Sequence, residues 1–337
     1  MSNPEQPRVT LNNGLKMPAI GLGCWSGLTP EEHESGYTWM LGALKNGYRH
    51  LDTAHDYGTE GVVGRAVKDS GIPREEVWVT TKLPLHHHAK VEASYEESLS
   101  NAKLDYYDLY LMHWPQAHAN IDDKPNPRHP GPNGEPDGGD FIVVDKPTFN
   151  ETWADMEKLY EAGRVKAIGV SNFSVKKCVI YLPARRRILT ARSLKILLET
   201  AKIVPAVNQV EMHPHQAQPE LLEFCRAHGI VLTAYSPTGY SQVASDPTIV
   251  RLAEKYSVSP AQISLAWHLA RGTTAVPKSR DPGRQRANLW ELPKLSDEDV
   301  ALISTLHKNV HYCGYPEPTE RDGEPLVFGW TYSQLGW

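Results

Sequence analysis

Residues 47–60 read GYRHLDTAHDYGTE. Tyr48-Arg-His-Leu-Asp52 is a short run with strand-forming residues that stops on a carboxylate, and turn-forming residues follow it. The same pattern recurs along the chain as Val77-Trp-Val-Thr-Thr-Lys82, Asp108-Leu-Tyr-Leu-Met-His113 and Val165-Lys-Ala-Ile-Gly-Val-Ser171. It continues as Ala206-Val-Asn-Gln-Val210, Ile230-Val-Leu-Thr-Ala-Tyr235 and Thr274-Ala-Val-Pro-Lys278, and Ala19-Ile-Gly-Leu-Gly23 opens the series. The steps between the second, third and fourth runs are about 30 residues, the size of one βα unit.

Helical patterns fill the gaps. Thr29-Pro30-Glu31-Glu32 is a capped start with proline in the first turn, leading to Lys45. Residues 91–102 and 148–161 place apolar side chains at three-and-four spacing. Ser259-Pro260 opens a helix to about Arg271, and Ser296-Asp297-Glu298 opens another to about His307. Near the N-terminus, Val9 to Met17 reads as a β-hairpin with an Asn13-Gly14 turn that plugs the bottom of the fold. Eight strands alternating with helices predict a parallel sheet. The length exceeds the roughly 250 residues of a minimal (β/α)8 TIM barrel. The surplus falls in residues 117–147, a loop rich in Pro, Gly and Asp after the fourth strand, and in an aromatic tail over 309–337. A doubly wound sheet competes, but no Gly-x-Gly-x-x-Gly turn follows any strand.

Composition narrows the function. The chain has 337 residues, 40% hydrophobic and 22% charged, which suits one large globular domain over 1–337 with its core barrel in 8–310. A net charge of -5 gives no bulk attraction to nucleic acid. Cys24, Cys178, Cys225 and Cys313 match no zinc spacing and read as reduced thiols. No apolar run approaches the roughly 20 residues of a membrane span, and MSNPEQPRVT has no signal-peptide core. A cytoplasmic protein without membrane or nucleic-acid partners is the expectation.

The active site of a (β/α)8 barrel lies at the C-terminal ends of its strands. Asp52, Lys82 and His113 end three successive strands, and Tyr57 follows Asp52 by five residues. A tyrosine serves as general acid if its pKa falls from about 10, and a neighbouring ammonium such as Lys82 favours the phenolate. Asp52 would keep that lysine charged, and His113 would hold a carbonyl oxygen. Each residue alone has a structural reading as a satisfied core or strand-end group. Four at successive ends suit protonation of a nascent alkoxide.

GYRHLDTAHDYGTE, with VTTK, DLYLMHWP, VKAIGVSNFS, VNQVEMHP, AYSP and VPKS in order, resembles the aldo-keto reductase superfamily over about residues 8–310. The resemblance implies a barrel that binds NADPH in extended form and reduces an aldehyde or ketone, with Asp52, Tyr57, Lys82 and His113 as tetrad and Tyr57 as proton donor. It places Ser171, Asn172 and Gln209 at the nicotinamide carboxamide and Tyr235 beneath its ring, with Ser236 leading to the pyrophosphate. Lys278, Ser279, Arg284 and Asn288 match positions around the adenosine 2'-phosphate, and Arg280 adds a cation there. Asp281 departs from the pattern and would repel that phosphate unless turned away. Ala287 stands where an acidic adenine contact is common. Trp25, Trp114 and His113 match substrate-pocket positions, beside tail residues Tyr312, Tyr315, Phe328, Trp330 and Trp337. The loop and tail resemble those of fungal members acting on glyceraldehyde-like aldehydes. The resemblance also implies a monomer or homodimer. A non-catalytic NADPH-binding barrel is the competing function, and the complete tetrad argues against it.

Two stretches stand outside this pattern. His86-His87-His88 tempts a metal reading, but consecutive histidines share no face of a strand or helix; a surface position in a loop or early helix with no metal is the expectation. Residues 178–193, CVIYLPARRRILTARS, interrupt what otherwise reads as one helix starting at Ser174-Val175-Lys176-Lys177 and continuing at Leu194. Arg185, Arg186 and Arg187 within them are too short a run for a nucleic-acid patch. The segment is 16 residues, or 48 nucleotides, about a short fungal intron in frame, and Leu189-Thr190 fits a branch-point-like CTAAC. A retained intron or gene-model error is the reading adopted. A genuine surface insertion is its rival, and a product inactivated by the segment is a third outcome.

Overall fold

The computed structural model describes residues 6–131, 134–135, 137–176, 178–182, 187–191, 193–313, 320–321 and 323–337, with residues 178–182 and 187–191 described by backbone path alone. Eight parallel strands form the centre: β1 Leu22–Gly23, β2 His50–Asp52, β3 Trp78–Leu83, β4 Leu109–Met112, β5 Ile168–Ser171, β6 Val207–Glu211, β7 Val231–Tyr235 and β8 Thr274–Ala275. Neighbours in space are neighbours in sequence throughout. The ring closes where Gly21 N donates to Ala275 O at 2.9 Å and Ala275 N donates to Ala19 O at 2.9 Å. All eight expected strands are present, so the (β/α)8 barrel is the fold.

The ring helices are α1 Pro30–Lys45, α2 Glu60–Ser70, α3 Val91–Ala102, α4 Phe149–Glu161, α5 Ser193–Thr200, α6 Pro219–Ala227, α7 Pro260–Ala270 and α8 Pro282–Trp290. Their starts follow from local chemistry. Thr29, Thr148 and Ser259 each make a reciprocal capping box with Glu32, Glu151 and Gln262, so two orphan N–H groups per helix find acceptors. Apolar side chains of the ring helices and the outer strand faces form one buried layer.

The N-terminal hairpin pairs Arg8–Thr10 with Lys16–Pro18. Its turn is longer than the two-residue Asn13-Gly14 expectation. Leu11 N donates to Leu15 O at 2.8 Å, which encloses residues 12–14, and Gly14 takes φ +86°. Leu11 and Met17 pack on Trp78, Leu109, Leu111 and Val207 at the barrel floor. Above the fourth strand, residues 117–147 carry their own short ladder, Ala117–His118 against Val143–Val144.

The helix expected to start at Ser174 is not formed over residues 174–176, and Lys177 lies outside the described residues. Residues 178–182 and 187–191 make an antiparallel pair, Cys178 opposite Ala191, and α5 starts afresh at Ser193. The chain leaves and re-enters at one place: Ser174 N donates to Ser193 Oγ at 2.9 Å and Leu194 N to Ser174 O at 3.1 Å. Residues 183–186, with Arg185 and Arg186, lie outside the described residues.

Close helix packing gives a direct test of the frame. A Cβ on Gly64 of α2 would lie 1.7 Å from the Ala102 carbonyl oxygen of α3, a backbone atom that cannot swing aside. Gly64→Ala should therefore destabilise the protein by about 1–3 kcal/mol, read as a lower urea midpoint with an unchanged slope.

Candidate active site

The strand ends converge on one buried network. Lys82 Nζ donates to Asp52 Oδ1 at 2.6 Å and to the Thr53 carbonyl at 2.8 Å. Gln209 Nε2, from across the barrel, donates to the other Asp52 oxygen at 2.6 Å. Gln209 O in turn accepts from Ser171 Oγ at 2.7 Å. Asn172, held at φ +65°, donates from Nδ2 to His113 O at 3.0 Å and accepts from Tyr235 Oη at 2.9 Å. Asp52, Lys82 and His113 are thus joined to Ser171, Asn172, Gln209 and Tyr235 in one hydrogen-bonded set, with Asn172 Nδ2 also donating to Ser171 Oγ at 3.2 Å.

Tyr57 sits above this set on the 3-10 turn His55–Tyr57, with the Lys82 ammonium 4.9 Å from its ring centre. Its ring meets His113 edge-on at 5.7 Å between centres. The anticipated lowering of the Tyr57 pKa is not found. Burial, and then the Asp52 carboxylate, push the phenol well above 10. The Lys82 charge is already spent on Asp52, and its ammonium faces the Tyr57 ring. His113 moves the other way: burial and then the Lys82 ammonium bring it down to about 4, so its ring is neutral at pH 7.

On the other flank, Lys278 Nζ lies over the Trp25 ring at 4.6 Å, and Trp25 is 45% exposed. Arg280 donates to Ser26 O at 2.6 Å. Burial and then the Arg280 charge hold Lys278 below its usual pKa. Two crowded cations on an exposed flank are relieved by an anion. Asp281 is turned away from them: its carboxylate accepts from Arg284 N at 2.7 Å as the N-cap of α8. Ser279 and Asn288 are buried alongside, and Ser236 takes φ +47° directly after β7. The cation pair suits a phosphate, and the Asn172–Gln209 amides suit a carboxamide, so the residues fit a phosphorylated nicotinamide dinucleotide.

Trp114 is buried against the tail, with ring centres 5.3 Å from Phe328 and 5.7 Å from Trp337. Tyr315 lies outside the described residues. His86, His87 and His88 are not surface residues: each is 0–1% exposed, on and after the 3-10 turn Leu85–His87. The segment 117–147 covers them, with its strand Ala117–His118 against that turn, and Thr152 of α4 reaches His88.

Sequence reasoning missed Glu211. It is buried at the end of β6 and accepts from His213 Nε2 at 3.2 Å, His311 Nδ1 at 2.9 Å, and the Tyr312 and Cys313 N–H groups at 2.6 and 2.9 Å. One carboxylate therefore pins the start of the tail to the barrel rim. Its signal was available, because Glu211 points the same way as Gln209 two residues earlier in a strand.

The sequence profile of the Aldo/keto reductase family matches residues 19–308. This chain belongs to that family. Curated relatives of this aldo/keto reductase include a glycerol 2-dehydrogenase (NADP(+)) of Saccharomyces cerevisiae, 40% identical over 89% of this chain and 90% of the relative. An aldehyde reductase of the same yeast is 39% identical over 88% of this chain and 90% of its own length. An aldo-keto reductase of Bombyx mori, solved in complex with NADP, superposes with a TM-score of 0.74 at 31% identity, covering 91% of this chain and 95% of the other.

The Glu211 latch has a measurable sign. Burial alone would raise its pKa, but hydrogen bonds from His213 and His311 hold the carboxylate at about 2, below its ordinary 4.5. A depressed carboxylate contributes stability above its unfolded pKa and loses it as pH falls through the folded value. Glu211→Gln should cost on the order of 3 kcal/mol at pH 7. Its deficit against the wild type should shrink between about pH 4.5 and 2, as read from urea midpoints at pH 7 and pH 3.

Proposed function

We propose that this protein is an NADPH-dependent reductase of aldehydes or ketones, in which the bound nicotinamide supplies a hydride to the carbonyl carbon and Tyr57 gives a proton to the carbonyl oxygen. The observation that carries this reading is the buried Lys82–Asp52 pair set beneath the Tyr57 ring and beside neutral His113. A phenol kept fully protonated holds the proton until it is needed. An alkoxide is a stronger base than an ordinary phenolate, which favours proton transfer from the phenol as the alkoxide forms. The Lys82–Asp52 pair forms a fixed floor beneath the Tyr57 ring and so holds the phenol in place for the transfer. Neutral His113 has one N–H with which to orient the carbonyl oxygen.

Ser171, Asn172 and Gln209 orient the carboxamide, and Tyr235 supports the ring. Lys278, Arg280 and Arg284 take the 2'-phosphate, with Ser279 and Asn288 beside the adenosine, and their charge selects NADPH over NADH. Trp25 and Trp114, with the aromatic tail, wall the substrate, which favours a short aldehyde such as glyceraldehyde or a pentose. The non-catalytic alternative has no use for a lysine buried under a tyrosine.

Tyr57→Phe should lower the turnover of DL-glyceraldehyde by about 100-fold or more while cofactor binding, followed by fluorescence quenching, is retained. Because the Tyr57 phenol titrates well above 10 and His113 near about 4, kcat/KM for reduction should stay flat from about pH 5.5 to 8.5. A single inflection near neutrality, absent from a His113→Asn variant, would move the acid role to the histidine.

We also propose that the chain is one catalytic domain whose residues 178–193 are dispensable. Leu194 N, the first group after the segment, already donates to Ser174 O at 3.1 Å, so the two flanks meet without it and the join lies on the outer ring. A protein lacking residues 178–193 should match or exceed the turnover of the full chain. Its transcripts should lack the corresponding 48 nucleotides; a peptide spanning the segment in native protein would refute the intron origin.

A further inference from the structure

Behind the tetrad lies a second polar cluster that the reductase reading leaves unused. His55 opens the 3-10 turn that ends on Tyr57, His87 ends the turn Leu85–His87, and Glu97 lies on α3. One ring nitrogen from each histidine and one Glu97 carboxylate oxygen all lie within 4.8 Å of one another. His55 Nε2 is 3.1 Å from Glu97 Oε1, and the His55 and His87 ring centres are 4.9 Å apart. His86 adds a third imidazole, 4.0 Å from His87 and 6.0 Å from His55 between ring centres.

An ordinary hydrogen bond accounts for His55 and Glu97 alone. His87 Nε2 and both ring nitrogens of His86 are buried with no hydrogen-bond partner among the described residues. Buried polar atoms in native proteins nearly always find one, so these call for a ligand. The donor types are those a borderline divalent cation selects, two imidazoles and a carboxylate, from three separate elements meeting at one point. The outward nitrogens are also oriented. His87 Nδ1 is engaged with Ser94 Oγ at 2.9 Å, which leaves Nε2 for a cation, and His55 Nδ1 faces Asp56 Oδ1 at 3.7 Å. Such fixing of the far ring nitrogen is usual for ligating histidines. Asp123 Oδ1, 3.7 Å from His87 Nε2, offers a further carboxylate. The Glu97 side chain is 45% exposed, which gives a path in from solvent.

We propose that His55, His87 and Glu97 bind a divalent d-block cation of the Zn2+ class, with water completing its coordination. The cation ties the turn carrying Tyr57 to α3 and sets a double positive charge behind the proton donor. The site stands on its own residues and does not depend on the reductase reading.

The test uses the full-length protein stripped of metal by chelator dialysis and titrated with Zn2+ against a chromophoric chelator. One equivalent should be taken up, and Glu97→Gln should weaken that uptake by about 10-fold or more. Glu97 lies on the exposed face of a helix, so the variant keeps its fold, checked by near-ultraviolet circular dichroism. His87→Ala should weaken uptake likewise, and Co2+ loaded in place of Zn2+ should give a visible absorption band that Glu97→Gln diminishes. No uptake by the wild-type protein, or uptake unchanged in folded Glu97→Gln, overturns the proposal.

Discussion

Lys82 is among the largest fully buried side chains in the protein, and its ammonium ends on a carboxylate rather than in water. Two charges taken out of water cost several kcal/mol each, and their attraction offsets this only when every remaining donor and lone pair is satisfied. Here the satisfaction is spread around the barrel. Asp52 comes from β2, Lys82 from β3, and Gln209 from β6 supplies the donor for the second Asp52 oxygen. β2 and β6 are four places apart in a ring of eight, so they face each other across the mouth. The Asp52–Gln209 hydrogen bond therefore exists only when the barrel is closed. Removing either member of the charged pair would leave an uncompensated buried charge, worth about 3–5 kcal/mol.

The same pairing governs the chemistry above it. A free ammonium beside Tyr57 would pull its proton off near neutrality, but an ammonium already neutralised by Asp52 does not. Burial then dominates, and the phenol stays protonated. Lys82 and Asp52 are both legible as neighbours of Tyr57, yet the shift runs upward rather than downward. Whether Lys82 meets the hydroxyl or the ring face, and how much of its charge Asp52 absorbs, are distances that no spacing encodes.

Other features divide along the same line. Strands ending in Asp52, Lys82 and near His113 were legible because a strand's period and its terminal polar residue are local. The starts of α1, α4 and α7 were legible because Thr29, Thr148 and Ser259 cap them from one turn away. His86 to His88 looked like a surface loop because what buries them is the segment 117–147, whose folding back is a long-range event. Glu211 went unread because its partners, His311 and Tyr312, are about a hundred residues away. The start of α5 differs for a related cause: Ser174 Oγ accepts from Lys176 N at 3.0 Å, but no helix follows, and the Ser174 backbone donates to Ser193 Oγ and accepts from Leu194 N instead.

The join at Ser174 also explains how a hairpin can sit in a helix ring without disturbing the site. The cost of an added loop grows only slowly with its length once its ends are held together. Those ends are held by Ser193, and by Ser174 Oγ donating to Gly336 O at 2.8 Å, which brings the C-terminal tail to the same spot. The tail is thus fixed at both limits, at Glu211 near its start and at Ser174 near its end, with Trp337 stacked on His311 between them at 3.9 Å. Phe328 and Trp337 are held against Trp114 by that double anchorage rather than by their own packing alone. A wall secured to β6 and to the end of β5 moves with the barrel rim. The shape of the substrate pocket is then coupled to the same strands that carry Ser171 and Gln209.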